Sequence, residues 1–221
     1  MPAHAATLRI LRRLALIFLG GGLIVLLPRL ALAADAPASA SSAPHLETAT
    51  LGMGCFWCAQ ALYEKFTGVT RVVCGYAGGH TVNPTYEDVC TDQTGHAETI
   101  QITFDPARIS YAQLLEIFWD VHDPTTLDRQ GDDEGTQYRS IILYETPEQK
   151  KIAEESKKAE EAKLGGPVTT EIVPLTAFYR AEEYHQDYFK KNPHAPYCAF
   201  VISPKVQKLE AHPPPGMKLD R

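Results

Sequence analysis

Residues 51–58 read Leu51-Gly52-Met53-Gly54-Cys55-Phe56-Trp57-Cys58. The run from Leu46 to Met53 has the character of a first strand, and a helical pattern follows from Trp57 to Phe66, closed by Gly68. Cys55 therefore falls where a strand hands over to a helix. A thiol there meets unpaired backbone N–H groups and the positive end of the helix dipole, both of which favour thiolate. The preceding glycines leave room for a substrate to approach the backbone, and Phe56 and Trp57 offer an apolar wall. The same residues also fit a plainer pattern, a small buried cysteine among core aromatics. Cys55 and Cys58 form C-x-x-C as well, which suits a redox dithiol or half of a zinc site. His96-x-Glu98 lies after the C-x-x-C, the wrong order for a zinc deaminase, and no second close ligand pair is present. No metal is expected.

Outward from this junction, strands and helices interleave. Val69 to Tyr76 reads as a strand and a loop runs to about Gly95. Ala97 to Phe104 (AETIQITF) then alternates strictly. Its even positions are Glu98, Ile100, Ile102 and Phe104, so Glu98 shares the apolar face. Desolvation on that face would keep its carboxyl protonated, as a general acid requires; at a frayed strand end it would instead be solvated. Ser110 and Gln113 form a capping box for a helix bearing Leu114, Leu115, Ile117 and Phe118. A loop from His122 to Gly135 leads to a strand from Tyr138 to Tyr144. Thr146-Pro147 opens a charged helix to Lys163, ended by Gly165-Gly166-Pro167. Thr170 to Pro174 reads as a strand, Arg180 to Lys191 as a helix, and the Pro-rich stretch from Pro193 as a surface-wrapping tail. The sum is one α+β domain with a mixed sheet.

The N-terminus reads differently. Arg9, Arg12 and Arg13 precede the uncharged stretch Leu14 to Leu27, and Ala31-Leu32-Ala33 follows. That is the layout of a secretory signal peptide, residues 1–33, cleaved after Ala33. The alternative is an uncleaved membrane anchor, although the apolar stretch is shorter than the ~20 residues that span a bilayer. Residues 34–45 are an Ala/Ser/Pro tether, residues 46–205 the catalytic domain and 206–221 a C-terminal tail. The formal charge of the whole chain is −6. Removing residues 1–33 takes four of the 21 basic residues and none of the 27 acidic ones, giving −10. A nucleic-acid partner is not expected from such a balance. All five cysteines fall after residue 33, an odd count that leaves at least one thiol unpaired within the chain. Export would place them in an oxidising, periplasmic compartment.

Several motifs in order resemble the peptide methionine-S-sulfoxide reductases of the A type. They are Gly54-Cys55-Phe56-Trp57, Gly75-Tyr76-Ala77-Gly78-Gly79, Asn83-Pro84-Thr85-Tyr86, Thr94-Gly95-His96-Ala97-Glu98 and Gly135-Thr136-Gln137-Tyr138-Arg139-Ser140. Ala181-Glu182…His185-Gln186 and Asn192-Pro193…Tyr197-Cys198 continue the series. The resemblance covers roughly residues 47 to 205. It implies a two-layer α+β sandwich related to the ferredoxin-like arrangement.

The resemblance also implies a chemistry. Cys55 attacks the sulfur of the S epimer of methionine sulfoxide, in proteins or as the free amino acid. Glu98 acts on the oxygen with the hydroxyls of Tyr86 and Tyr138, and Phe56 and Trp57 hold the methyl group. Asp133 orients groups through water. Cys55 becomes a sulfenic acid, Cys198 resolves it from a mobile tail as a disulfide, and a thioredoxin-like dithiol restores the thiols. No cofactor is implied, and a monomer is expected. The sequence departs from the family at Cys58, often Gly, and at Gln60, where an acid is common. No cysteine follows Cys198, so a two-step relay is not expected. Cys58 is an alternative resolving thiol, Cys74 and Cys90 read as structural or unpaired, and His185 and Tyr188 as packing for the tail helix. A thiol oxidoreductase using Cys55/Cys58, or a binding domain with incidental thiols, are the rival readings.

Overall fold

The computed structural model describes residues 45–220; the expected signal peptide and nearly all of the expected tether lie outside the described residues. Strand β1 (Glu47–Met53) leads into helix α1 (Phe56–Tyr63), and strand β2 (Val69–Ala77) follows. A four-residue helix α2 (Tyr86–Val89) interrupts the next loop before strand β3 (Ala97–Phe104). Helix α3 (Tyr111–Val121) starts at the Ser110–Gln113 capping box read from the sequence. A small hairpin, β4 (Arg129–Gln130) and β5 (Asp133–Glu134), sits in the following loop. Strand β6 (Ser140–Tyr144) and helix α4 (Pro147–Leu164) come next. Thr146 caps α4 and Gly165 ends it in a left-handed conformation, φ 72°.

Within this series β1-α1-β2-β3-α3-β6 is the split βαβ pattern. Its strands lie in the order β6-β1-β3-β2, every neighbouring pair antiparallel. Two strands extend this ferredoxin-like core. Strand β7 (Glu171–Pro174) pairs in parallel with β6 after the α4 crossover, which makes the sheet mixed. Strand β8 (Phe178–Arg180) pairs antiparallel with the outer edge of β2. The main core lies between one sheet face and the helices. Ala49 and Leu51 from β1 and Ile100, Ile102 and Phe104 from β3 meet Leu62 of α1 and Leu114, Leu115 and Phe118 of α3. A smaller cluster of Ala77, Ala97, Ile141 and Leu143 covers part of the opposite face.

The C-terminal third differs from the sequence reading. In place of one helix from Arg180 to Lys191, the chain forms β8, a 3-10 turn over Glu183–His185 and helix α5 (Tyr188–Lys191). Asp187 breaks the run with a left-handed φ of 55°. The stretch after Pro193 is not a surface-wrapping tail. It forms a π-helical turn over Cys198–Ile202 that continues into helix α6 (Ser203–Ala211). Cys198, Ile202, Val206 and Leu209 recur at helical spacing and are buried. The packing does not stop at residue 205: Phe66 bridges to Leu219, and the Thr67 amide donates to the Lys218 carbonyl at 2.9 Å. Tyr138 precedes its expected strand, in a 3-10 turn over Thr136–Tyr138.

Gly52 fixes the approach of β1 to its neighbours. A Cβ there would lie 2.7 Å from Ile141 Cγ2 and 2.9 Å from the Glu98 carbonyl. Its role is to admit protein atoms from both adjacent strands, not substrate. Gly52→Ala should therefore lower stability by about 1–3 kcal/mol, the cost of overpacking a filled site. Urea denaturation checks this, and an unchanged midpoint would show that β1 has slack at this position.

Candidate active site

Cys55 is the N-cap residue of α1 and is 9% exposed. Gly54 turns the chain into this position with φ 92°. Its missing Cβ would collide with Cβ and Cγ of Gln130 at 2.7 Å. The Cys55 carbonyl accepts from the Cys58 and Ala59 amides at 3.1 and 3.3 Å. The amide of Phe56 donates to Oε2 of Glu98 at 3.0 Å. A donor expected to serve the thiol is thus taken by the carboxyl group. The helix terminus therefore favours the Cys55 thiolate less than its sequence position suggests. Burial pushes the Cys55 thiol well up, and its hydrogen bond with Cys58 adds to this.

Glu98 is 2% exposed, on the core face of β3, so the solvated strand-end alternative does not hold. Burial lifts its pKa well above the carboxylate range, and proximity to Cys55 reinforces the shift. The group is held neutral and can donate. Tyr86 and Tyr138 are also pushed up, first by burial. Their next causes are a hydrogen bond with Cys90 for Tyr86 and the Glu98 charge for Tyr138. Three O–H groups therefore keep their protons at neutral pH.

These donors meet the thiol in one cavity of about 170 Å³. Cys55, Phe56 and Trp57 line one part of it; Tyr86, Glu98, Asp133 and Tyr138 line the rest. Tyr197 completes the wall. Its hydroxyl donates to Oδ2 of Asp133 at 2.6 Å and lies 4.0 Å from the Cys58 sulfur. Nothing in the sequence beyond its place before Cys198 marks Tyr197 as part of this wall. The β4–β5 hairpin delivers Asp133, and the Gln130 amide fastens that hairpin by pairing with both the N–H and the carbonyl of Asp123, each at 3.1 Å.

Trp57 is held on three sides. Its ring stacks on Tyr188 at 3.8 Å and 9°, meets Tyr197 edge-on at 6.0 Å, and donates Nε1–H to Nδ1 of His185 at 3.0 Å. His185 and Tyr188 therefore support the cavity wall, where the sequence had assigned them to the tail helix. Cys198 does not line the cavity. It is fully buried in the π-helical turn, and this corrects the expectation of a cysteine on a mobile, poorly structured tail. Cys74 is buried against the Gln60 carboxamide oxygen at 3.4 Å, while Cys90 is exposed. All five cysteines carry free thiols. Among the described residues, no group of three His, Cys, Asp or Glu side chains is placed to hold a metal.

Larger clefts exist, including one of about 420 Å³ beside His45 and Tyr111, but none of them brings a thiol to a buried acid. The chemistry singles out the smaller cavity. A nucleophilic sulfur there faces neutral donors on one side and aromatic rings on the other. That arrangement suits a small substrate with a polar oxygen and an apolar substituent on the atom under attack.

The state of Glu98 has a thermodynamic signature. Its folded pKa lies above the unfolded value of about 4.3, so the native state binds this proton more tightly. The associated stability is complete below the unfolded pKa and is lost as pH rises toward the folded pKa. Glu98→Gln is neutral at every pH and keeps an acceptor for Phe56 N–H. The Tm of this variant relative to the wild type should therefore climb as pH rises above the unfolded value of about 4.3. A pH-independent difference would mean that the carboxyl is not held neutral.

Residues 47–214 match the family described as peptide methionine sulfoxide reductase. The chain is 60% identical over 164 residues to the peptide methionine sulfoxide reductase MsrA of Sulfolobus acidocaldarius, covering 74% of this chain and 93% of that protein. It is 52% identical over 162 residues to MsrA of Thermus thermophilus, covering 73% and 92%. Among solved structures, reduced Mxr1 of Saccharomyces cerevisiae superposes with a TM-score of 0.66 at 35% identity, covering 69% of this chain and 89% of that one. Methionine sulfoxide reductase A of Corynebacterium diphtheriae gives 0.63 at 37% identity, covering 71% and 80%. With a match over most of its length and a cavity suited to attack on a polar, methyl-bearing sulfur, the chain belongs to the peptide methionine sulfoxide reductases, thiol-dependent oxidoreductases that return methionine sulfoxide to methionine.

Proposed function

We propose that the chain reduces the S epimer of methionine sulfoxide, in oxidised proteins and as the free amino acid, with Cys55 as nucleophile. The observation that carries this reading is the single cavity joining the Cys55 sulfur to neutral Glu98, Tyr86 and Tyr138 and to the rings of Phe56 and Trp57. The sulfoxide oxygen would take the donors and the methyl group the rings. With the remaining carbon chain directed to solvent, three substituents are fixed and one hand of the sulfur is selected.

The Cys55 sulfur attacks the sulfoxide sulfur while Glu98 gives its proton to the oxygen. The oxygen then bonds to the Cys55 sulfur as its S–O bond to methionine and the transient S–S bond break, leaving a sulfenic acid and methionine. Cysteine sulfur is oxidised by two electrons and methionine sulfur is reduced by two. The proton released by the Cys55 thiol returns Glu98 to its neutral form. A resting thiol with a raised pKa is consistent with this sequence, because its proton is consumed in the same turnover. Asp133 and Tyr197, hydrogen-bonded to each other, orient groups at the cavity wall.

Cys198 then attacks the sulfenic acid, releasing water and forming Cys55–Cys198, and a thioredoxin-like dithiol reduces that disulfide by exchange. One observation favours a second resolving thiol: Cys58 is a buried free thiol one helical turn from Cys55 on α1. The enzyme acts as a monomer without metal or cofactor. It works after export, with residues 1–33 removed at Ala33, or anchored by them if they stay uncleaved. N-terminal sequencing of the mature protein, beginning at Ala34, tests the export step.

Assays on the separated sulfoxide epimers test the reaction. The S epimer alone should turn over with a chemical dithiol, and Cys55→Ser should abolish turnover. Equal rates on both epimers would reject the reading. Glu98→Ala should lower kcat by roughly 10²–10⁴-fold, the usual worth of a positioned acid, with Glu98→Gln retaining more because it keeps a donor. After one turnover without reductant, peptide mass spectrometry should find Cys55–Cys198. Recovery of Cys55–Cys58 in Cys198→Ser, at the wild-type rate, would transfer the resolving role to Cys58.

A further inference from the structure

The Ala181-Glu182…His185-Gln186 motif has no role in the reaction just described, yet its side chains reach both walls of the cavity. We infer that Glu182 is a positioning residue that sets the oxygen-binding wall and the methyl-binding wall together, and so couples substrate binding to proton donation. This inference rests on the methionine sulfoxide reading of the cavity.

Gln186 docks the segment. Its carboxamide accepts from the Cys74 amide and donates to the Cys74 carbonyl, both at 3.0 Å, and also donates to the Ala181 carbonyl at 3.0 Å. That arrangement zips residues 181–186 to β2 just past the end of β8. Glu182, so placed, spends its two carboxylate oxygens on different elements. Oε1 accepts from the backbone amide of Tyr86 at 2.9 Å, the first amide of α2, which has no partner within its own helix. Oε2 accepts from the hydroxyl of Tyr76 on β2 at 2.8 Å. Helix α2 is only four residues long, so this bond, with the packing of Tyr86 on His185, ties it to the site. The place of the Tyr86 phenol depends on it.

The second wall is reached through His185. The Glu182 carbonyl accepts from the His185 amide at 3.0 Å, closing the 3-10 turn that carries the imidazole. His185 Nδ1 accepts from Trp57 Nε1–H, so the ring proton is assigned to Nε2, which faces Glu182 Oε2 at 3.9 Å. The buried imidazole lies between the two walls, with ring centroids 4.9 Å from Phe56 and 4.6 Å from Tyr86. His185 Nε2 has no hydrogen-bond partner; the Glu182 carboxylate faces it, and the Glu87 charge adds to the local field. One acidic side chain thus anchors the donor helix through Oε1 and steadies the Trp57 support through Oε2. It does not itself line the cavity that holds the thiol.

A residue that only stabilised the fold would change Tm and the active fraction, but not the way kcat and KM respond in combined variants. Glu182→Gln preserves shape and is the primary variant; Glu182→Ala is the stronger test where it folds. Glu182→Gln should raise KM and lower kcat, for a loss in kcat/KM of at least about tenfold. In a Tyr86→Phe background the kcat component should shrink to less than about twofold, because the donor it positions is already absent. Strict additivity of the two substitutions overturns the coupling. A second readout is independent of turnover. Trp57 and Trp119 are the two tryptophans of the chain. In a Trp119→Phe background, Glu182→Gln should change the emission of Trp57, and an unchanged spectrum overturns the link through His185. If the wild type turns over neither sulfoxide epimer while the emission still responds, the substrate reading fails and the positioning role stands.

Discussion

The 3.0 Å bond from the Phe56 amide to Oε2 of Glu98 ties the start of α1 to the centre of the sheet, and the rest of the site is arranged around it. It crosses from the residue after the nucleophile to the strand that pairs with both β1 and β2. A carboxyl buried this deeply is kept neutral by the cost of desolvating its charge. A first-turn helix amide buried without a partner would cost free energy of its own. Each group meets the other's requirement, and the Cys55 sulfur is held one residue away from the acid. Gly52 makes the approach possible, since any side chain there would strike the Glu98 carbonyl and Ile141.

This bond also accounts for a thiol that is not activated in the expected way. Helix termini lower thiol pKa values when their amides and partial positive charge face the sulfur. Here the Phe56 amide is occupied by an acid, and the sulfur is almost fully buried with a second thiol close by in the chain. Strand–Gly–Cys–helix spacing gives the position of the cysteine but not the partner of the amide that follows it. That partner lies 42 residues away on another strand. No local pattern carries that information.

The legible parts of the sequence were those whose signals are local. Alternation in Ala97 to Phe104 places β3 at its observed bounds and puts Glu98 on the buried face. Ser110 with Gln113, and Thr146 with Pro147, start their helices where capping chemistry requires. The C-terminal third was lost to tertiary contacts. Phe178 to Arg180 become a strand because the edge of β2 is open to them and Gly75 leaves space for the Phe178 ring. The helix after Cys198 did carry a signal. Apolar residues at 198, 202, 206 and 209 have helical spacing, but Pro193, Pro196 and Pro204 read as breakers. Pro204 in fact sits in the first turn of α6, where a missing N–H costs nothing. Tyr197 was overlooked for a related reason. Only that helical turn brings its hydroxyl to Asp133, 64 residues away.

A neutral acid and a protonated thiol in one cavity share a single economy of protons. If Cys55 were ionised at rest, Glu98 beside it would be harder still to ionise, and the oxygen leaving the sulfoxide would have a donor with no means of recovering its proton. If Glu98 were ionised, it would repel the thiolate and could not donate at all. Burial of both groups disfavours the doubly ionised state, and proximity to Cys55 raises the Glu98 pKa further. The pair therefore holds its protons until a polarised S–O bond enters, accepts one and makes the sulfur electrophilic. Aromatic walls that admit a methyl group but carry no charge keep that balance intact. For this reason the cavity can be both apolar enough to perturb Glu98 and specific enough to orient a sulfoxide.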